Sequence, residues 1–271
     1  MMTAIRNALK NVPLARYAYA KLRGWHDRHE GGKVFMNPEL YVRALYRKGN
    51  GTAVLRTHDG LSITVRQNLW DARIVREMFF DKPYIRRITL RPQPIVVDIG
   101  GYIGDFSIYA ARYLGAARVI VYEPTAENFE LLKRNVQING YADRIVAVNR
   151  AVSSSDQVTL NVRLDENDEV HVSAYFYQGA QQRKLPSVTL EKLFETHRLD
   201  SIDLLKIDCE GGEYDIFPAI PDHLFNRIEN IVFEYHRIDG FETKLDKILG
   251  RLRSAGYALY KDGGIVSACR H

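Results

Sequence analysis

Ile95-Val96-Val97-Asp98-Ile99-Gly100-Gly101-Tyr102-Ile103-Gly104-Asp105-Phe106-Ser107 reads as a buried strand, a glycine-rich turn and the start of a helix. The stretch Val119-Ile120-Val121-Tyr122-Glu123-Pro124 reads as a second buried strand that ends on a carboxylate, 25 positions after Asp98. A doubly wound sheet holds an adenosine-containing cofactor in this way. Its glycine turn lets the ligand approach the backbone, and the acid after the next strand accepts from ribose hydroxyls.

The residues also distinguish between cofactors. A nicotinamide site wants G-x-G-x-x-G, yet with Gly101 and Gly104 as its second and third glycines the first position is Ile99. Asp98, at the strand's end, would repel a diphosphate. S-adenosylmethionine has no phosphate and carries a sulfonium and an ammonium group, so a carboxylate beside the turn is favourable. The expected cofactor is S-adenosylmethionine.

Outside these stretches, strands are expected at 95–99, 118–122, 144–149, 203–207, 230–235, 256–260 and 264–269. Helices are expected at 104–114, 125–139, 189–198, 213–219 and 242–254. This alternation implies a mostly parallel sheet covered on both faces. Lys261-Asp262-Gly263-Gly264 closes a terminal hairpin, so one of the last two strands runs antiparallel. The fold class is α/β: a Rossmann-like, seven-stranded class I methyltransferase sheet with an N-terminal helical and hairpin extension.

Two regions are expected, an extension over 1–90 and the sheet domain over 91–271, with an irregular insertion at about 151–188. Within the extension, residues 3–23 read as two helical pieces that Pro13 either breaks or separates by opening the second. Gly31-Gly32 marks a boundary, a helix follows over 38–48, and Thr52–Thr57 pairs with Leu61–Arg66 across His58-Asp59-Gly60. Asp71–Phe80 reads as a helix with Asp71 as its N-cap. In the insertion, Val158–Arg163 and Val170–Tyr177 read as short strands around the turn Asp165–Glu169.

The 271-residue chain is 46% apolar, as expected of a globular protein with a substantial core. No stretch has the roughly 18–20 apolar residues that span a bilayer, Arg6, Lys10 and Arg16 interrupt any leader-like core, and a cytoplasmic location is expected. The two cysteines, Cys209 and Cys269, read as reduced thiols, and no cluster has zinc-ligand spacing. The net charge of +5 is concentrated at one end. Residues 1–50 carry ten Lys/Arg against three Asp/Glu, leaving the remainder at −2. That segment reads as a solvated helix face or as a patch for an anionic partner, a membrane surface touched peripherally among them. It shows no nucleic-acid-binding module, and no nucleic-acid partner is expected. Oligomeric state is not encoded in these patterns.

Further motifs carry a resemblance. Asn149-Arg-Ala-Val152, Val188-Thr-Leu-Glu-Lys-Leu193 and Ile202-Asp-Leu-Leu-Lys-Ile-Asp-Cys-Glu-Gly-Gly-Glu213, with the two opening stretches, resemble the FkbM-type methyltransferases over residues 70–236. The resemblance implies a Rossmann-like fold, S-adenosylmethionine as donor, and O-methylation of a sugar, glycan or natural-product hydroxyl. Tyr102 stands where family members commonly carry Asn.

Residue roles follow. Asp98, Gly100, Gly101, Tyr102 and Gly104 are expected at the cofactor's methionine end, Glu123, Pro124 and Asn128 at the ribose, and Ala151 with Val152 at the adenine. Asp208 and Glu210, after the fourth strand, lie where the methyl should point; either could accept a hydroxyl proton or cap the next helix, and Asp208 also borders the cofactor. Glu234 and His236 are expected on one side of the fifth strand's end, His236 as general base oriented by Glu234. Glu213 reads as structural and Lys206 as pointing into the flanking layer. His171, His197 and His223 read as solvated. A ribose-directed RNA methyltransferase using the basic N-terminus, or a protein that binds the cofactor without turnover, are the alternatives.

Overall fold

The computed structural model describes residues 13–46, 51–67, 69–164, 170–173 and 181–270. The expected helix over 3–12, the turn Asp165–Glu169 and the strand residues after Ser173 lie outside them. The chain forms two compact units, Met1–Arg76 and Glu77–His271.

In the first unit, Pro13 opens a helix that runs to Gly32, consistent with proline's fit at a first helical position. A second helix, Pro38–Tyr46, follows, and β1 (Thr52–Arg56) pairs antiparallel with β2 (Ser62–Arg66). Phe35, Tyr41, Leu55, Ile63, Val65 and Val75 are buried here. The last helix starts at Leu69, so Asp71 is not its N-cap. Asp71 is fully buried and accepts the Arg66 backbone N–H at 2.9 Å and its guanidinium at 2.9 and 3.2 Å. A buried carboxylate needs a cation more than a helix end needs a cap.

The second unit opens with a π-type turn, Glu77–Asp81, and is built on a seven-stranded sheet. Its strands are β3 (Ile95–Ile99), β4 (Arg118–Tyr122), β5 (Ile145–Val148), β10 (Ile202–Ile207), β11 (Ile228–Glu234), β12 (Ala258–Asp262) and β13 (Ile265–Cys269). The order is β12-β13-β11-β10-β3-β4-β5, with β13 antiparallel to both neighbours and the other pairs parallel. β10 is buried along its whole length, as a central strand covered on both faces must be. The order reverses at β3, placing the ends of β3, β4 and β10 at the crevice where such sheets bind ligands.

The insertion forms its own four-stranded sheet: β6 (Ala151–Val152), β7 (Gln157–Leu164), β8 (Val170–Ser173) and β9 (Gln181–Val188), in the order β6-β9-β7-β8. β9 was not expected, because Gln181-Gln-Arg-Lys184 is polar and Pro186 breaks the pattern. No helix among the described residues is long and apolar enough to cross a membrane.

Candidate functional site

The turn after β3 is shaped by its glycines. Gly100 holds φ +83°, and a Cβ there would fall 1.7 Å from the Asp208 carbonyl oxygen. A Cβ on Gly101 would meet the Val121 side chain at 2.1 Å. Both positions therefore let β3 pass close to its neighbours, and both N–H groups donate to the Tyr122 carbonyl at 3.0 Å. Tyr102 follows at φ +47°, a left-handed conformation that Asn tolerates better than Tyr.

Asp98 faces Lys206 across the parallel β3–β10 register. Lys206 Nζ lies 3.0 Å from Asp98 Oδ1 and 3.8 Å from Asp208 Oδ2. The Ser107 hydroxyl donates to Asp98 Oδ2 at 2.7 Å, and Lys206 also donates to the Gly100 carbonyl at 3.1 Å. Burial raises the Asp98 carboxyl while Lys206 and Ser107 oppose it. Burial works against the Lys206 charge, but Asp98, Asp208 and Asp105 outweigh it and raise its pKa. Lys206 thus points into the site, not the flanking layer, and Asp98 acts through it as half of a buried ion pair. Asp105, at the helix start after Gly104, is pushed up to about 7 by burial.

At the end of β4, Glu123 is buried and accepts the Tyr102 N–H at 2.9 Å, the Thr125 N–H at 3.0 Å, the Thr125 hydroxyl, and Asn128 Nδ2 at 3.4 Å. Asn149 Nδ2 donates to the Glu123 and Pro124 carbonyls at 2.9 and 3.2 Å, tying the end of β5 to this corner. Glu123 Oε2 receives Tyr102 and retains a second lone pair. Asn128 Oδ1 is buried without a hydrogen-bond partner among the described residues. These two acceptors fit a ligand that brings donors, as a ribose or an adenine does. Ala151 begins β6, paired with Ser187, and both Ala151 and Val152 are buried.

At the ends of β10 and β11, Asp208 and Glu234 are brought together by a residue that sequence reasoning missed. The Tyr84 hydroxyl lies 2.8 Å from Asp208 Oδ2 and 3.0 Å from Glu234 Oε2. Burial, then the Asp208 charge, pushes Glu234 up to about 7. Glu210 sits on the exposed side of the turn, 3.7 Å from His236 Nε2, and burial raises its carboxyl too.

Glu234 does not orient His236. β11 ends at Glu234, strand alternation stops there, and the His236 N–H donates to Glu213 Oε1 at 2.8 Å, with Nδ1 at 3.2 Å from the same oxygen. Glu213 Oε2 also accepts the Gly211 N–H at 3.0 Å. Burial opposes the His236 charge, but Glu213, Glu210 and Asp208 outweigh it and raise the ring to about 9. Cys209 is a free thiol pushed well up by burial and by Glu213 and Asp208. Of the remaining histidines, His223 is exposed, whereas His197 is not simply solvated: its Nε2 lies 2.9 Å from the Tyr122 hydroxyl. The His171 side chain lies outside the description. Among the described residues no group of three His, Cys, Asp or Glu is placed to hold a metal ion.

Lys206 was findable: a lysine inside a fully buried central strand needs an acid beside it. Tyr84 was not, because no periodicity marks its irregular segment.

The family description "Methyltransferase FkbM domain" matches residues 98–259, more than half of the chain. The methyltransferase sdnD of Sordaria araneosa is 25% identical over 205 residues, 65% of this chain and 79% of that protein. The 31-O-demethyl-FK506 methyltransferase FkbM of Streptomyces tacrolimicus is 25% identical over 234 residues, 76% of this chain and 88% of that protein. Among solved structures, the methyltransferase FkbM from Methylobacillus flagellatus KT aligns with a TM-score of 0.46 at 16% identity, over 68% of this chain and 46% of that one. The chain belongs to the FkbM methyltransferase family and is an S-adenosylmethionine-dependent methyltransferase.

Proposed function

We propose that the chain methylates a hydroxyl oxygen of a small-molecule acceptor, a sugar, glycan or natural product, with Glu234 accepting the proton. The observation that carries this reading is the Glu234 carboxylate held against Asp208 through Tyr84 at the sheet edge that borders the cofactor turn, where burial and Asp208 push it up to about 7. A hydroxyl is a weak nucleophile until its proton is accepted, and a base with a pKa near the working pH serves best. The relative named 31-O-demethyl-FK506 methyltransferase acts, by that name, on an O-demethylated compound, which supports the same class.

Bound S-adenosylmethionine would supply an electrophilic methyl carbon with a neutral thioether as its leaving group. Glu123 and Asn128 would hold the ribose, and the Gly100–Gly104 turn would border the methionine end. Asp98 keeps Lys206 in place, 3.8 Å from Asp208 Oδ2. His236, raised to about 9, is a cation at neutral pH and has no lone pair free for a proton. It anchors the acidic turn while Glu234 takes the base's part.

The test is transfer of labelled methyl from S-adenosylmethionine into fractionated small-molecule extracts, with the labelled product identified by mass and fragmentation. A methyl ether is expected; label on nitrogen or carbon overturns the proposal. With that acceptor in hand, Glu234→Gln should lower kcat about 10²–10⁴-fold with cofactor affinity retained.

A further inference from the structure

A phenol carries one hydrogen and donates to one partner at a time. Tyr84 has two carboxylates within reach, at 2.8 Å and 3.0 Å. If both were anionic, one oxygen pair would face each other with lone pairs alone at hydrogen-bond distance. The arrangement is satisfied when one carboxyl is protonated and donates to Tyr84, while Tyr84 donates onward to the other. Lys206 decides which. Its Nζ is 3.8 Å from Asp208 Oδ2 and makes no ion pair with Glu234 among the described residues, so its charge acts on the Asp208 side and the shared proton is favoured on Glu234.

We propose that Tyr84 is a positioning residue that makes Glu234 a proton acceptor: while donating to Asp208, its oxygen offers Glu234 Oε2 a lone pair. A proton arriving on Oε2 then converts a repulsive O···O contact into a hydrogen bond. The inference rests on the hydroxyl-methylation reading only for the origin of that proton. In that reaction the acceptor's O–H bond breaks, its proton bonds to Glu234, and the electron pair stays on the oxygen that takes the methyl group. Tyr84 keeps its own hydrogen throughout, because burial and its two carboxylate neighbours hold the phenol well above its usual range.

The charged groups facing Glu234 are Asp208 and Glu210 from the turn after β10 and His236 from its own segment, with Lys206 acting through Asp208. The adjacent strand β13 places the apolar Ile265 opposite it. Tyr84 comes from the segment before β3 and is the neutral member of the set.

The test needs neither acceptor nor cofactor. The full chain is labelled with ¹³Cδ-glutamate, and Glu234 is assigned by the resonance lost in Glu234→Gln. Its titration is followed in the unmodified chain and in Tyr84→Phe, which retains the ring against Phe106 and Lys206. The unmodified midpoint should lie well above the ordinary 4.5 of a glutamate. In Tyr84→Phe it should drop by about one pH unit, the worth of one hydrogen bond. An unmoved midpoint overturns the role, and a raised one shows Tyr84 donating to Glu234 instead. Asp208→Asn lowers the midpoint by removing the neighbouring charge alone, so the second comparison is Tyr84→Phe made in the Asp208→Asn background. There Tyr84 turns its hydrogen to Glu234, and its removal should raise the midpoint; a fall or no change in that background overturns the proposal. Methyl found on nitrogen would defeat the function proposed above and leave these midpoints intact, so the two failures are separable.

Discussion

Lys206 Nζ lies 3.0 Å from Asp98 Oδ1, and neither side chain is more than 4% exposed. A charge buried this deeply is tolerable only with its counter-ion, so each residue's presence depends on the other. The pair stands under the cofactor turn, since Lys206 also holds the Gly100 carbonyl.

Lys206→Met should therefore destabilise the chain by about 3–5 kcal/mol in urea unfolding, because it leaves a buried carboxylate uncompensated. Adding Asp98→Asn to that variant should recover much of the loss. A double variant as unstable as Lys206→Met alone would mean that the two residues are not energetically paired.

Stability should fall as pH rises from about 5 to 9. Glu234, with its folded pKa near 7 against an ordinary value of 4.5, binds its proton more tightly in the folded chain. Its contribution is complete below pH 4.5 and lost as pH passes 7. His236, raised to about 9 from 6.5, contributes fully below pH 6.5 and loses that contribution as pH rises through 9. Thermal melts across this range should show Glu234→Gln flattening the lower part of the decline and His236→Gln the upper. A decline unchanged in both variants would assign the effect to other groups.

Gly100→Ala should be severe. The new Cβ would meet the Asp208 carbonyl oxygen at 1.7 Å, at a φ of +83° that L-residues avoid. A loss of at least about 3 kcal/mol, or failure to accumulate as folded protein, is expected. A Gly100→Ala chain that melts like the parent would show that β3 and the turn after β10 can separate freely.

Asn128→Leu distinguishes ligand binding from packing. In the free chain Asn128 Oδ1 is a buried acceptor with no hydrogen-bond partner among the described residues and Nδ2 donates to Glu123 only at 3.4 Å, so removing both should cost no more than about 1 kcal/mol. Affinity for S-adenosylmethionine should nevertheless fall about tenfold in calorimetry, the worth of one hydrogen bond to the ligand. Unchanged affinity would place the cofactor's ribose and adenine away from this residue.

The sheet was legible because its determinants are local. Apolar runs such as Val96-Val97 and Val119-Ile120-Val121 alternate with helical periods, and Lys261-Asp262-Gly263-Gly264 marks a hairpin. What escaped depended on side-chain partners that no periodicity marks. Asp71 looks like a cap until Arg66 is found beside it. His236 looks like a strand residue until Glu213 draws it off the sheet. The Gln181–Val188 strand has too little apolar content to declare itself, and is specified by pairing with β7. In the site, the residue types and strand ends could be read from motifs, whereas the choice between Glu234 and His236 as base depends on neighbours that only the folded chain brings together.

Glu213 is fully buried, and its two oxygens hold the turn after β10 through the Gly211 N–H and the segment after β11 through His236. One rigid side chain thus sets the gap between two edges that would otherwise move apart independently. Acceptors of different girth cannot be admitted by spreading those edges without breaking this latch. Under the proposed hydroxyl methylation, discrimination by size would then fall to other surfaces, leaving this corner a fixed ruler for the acceptor.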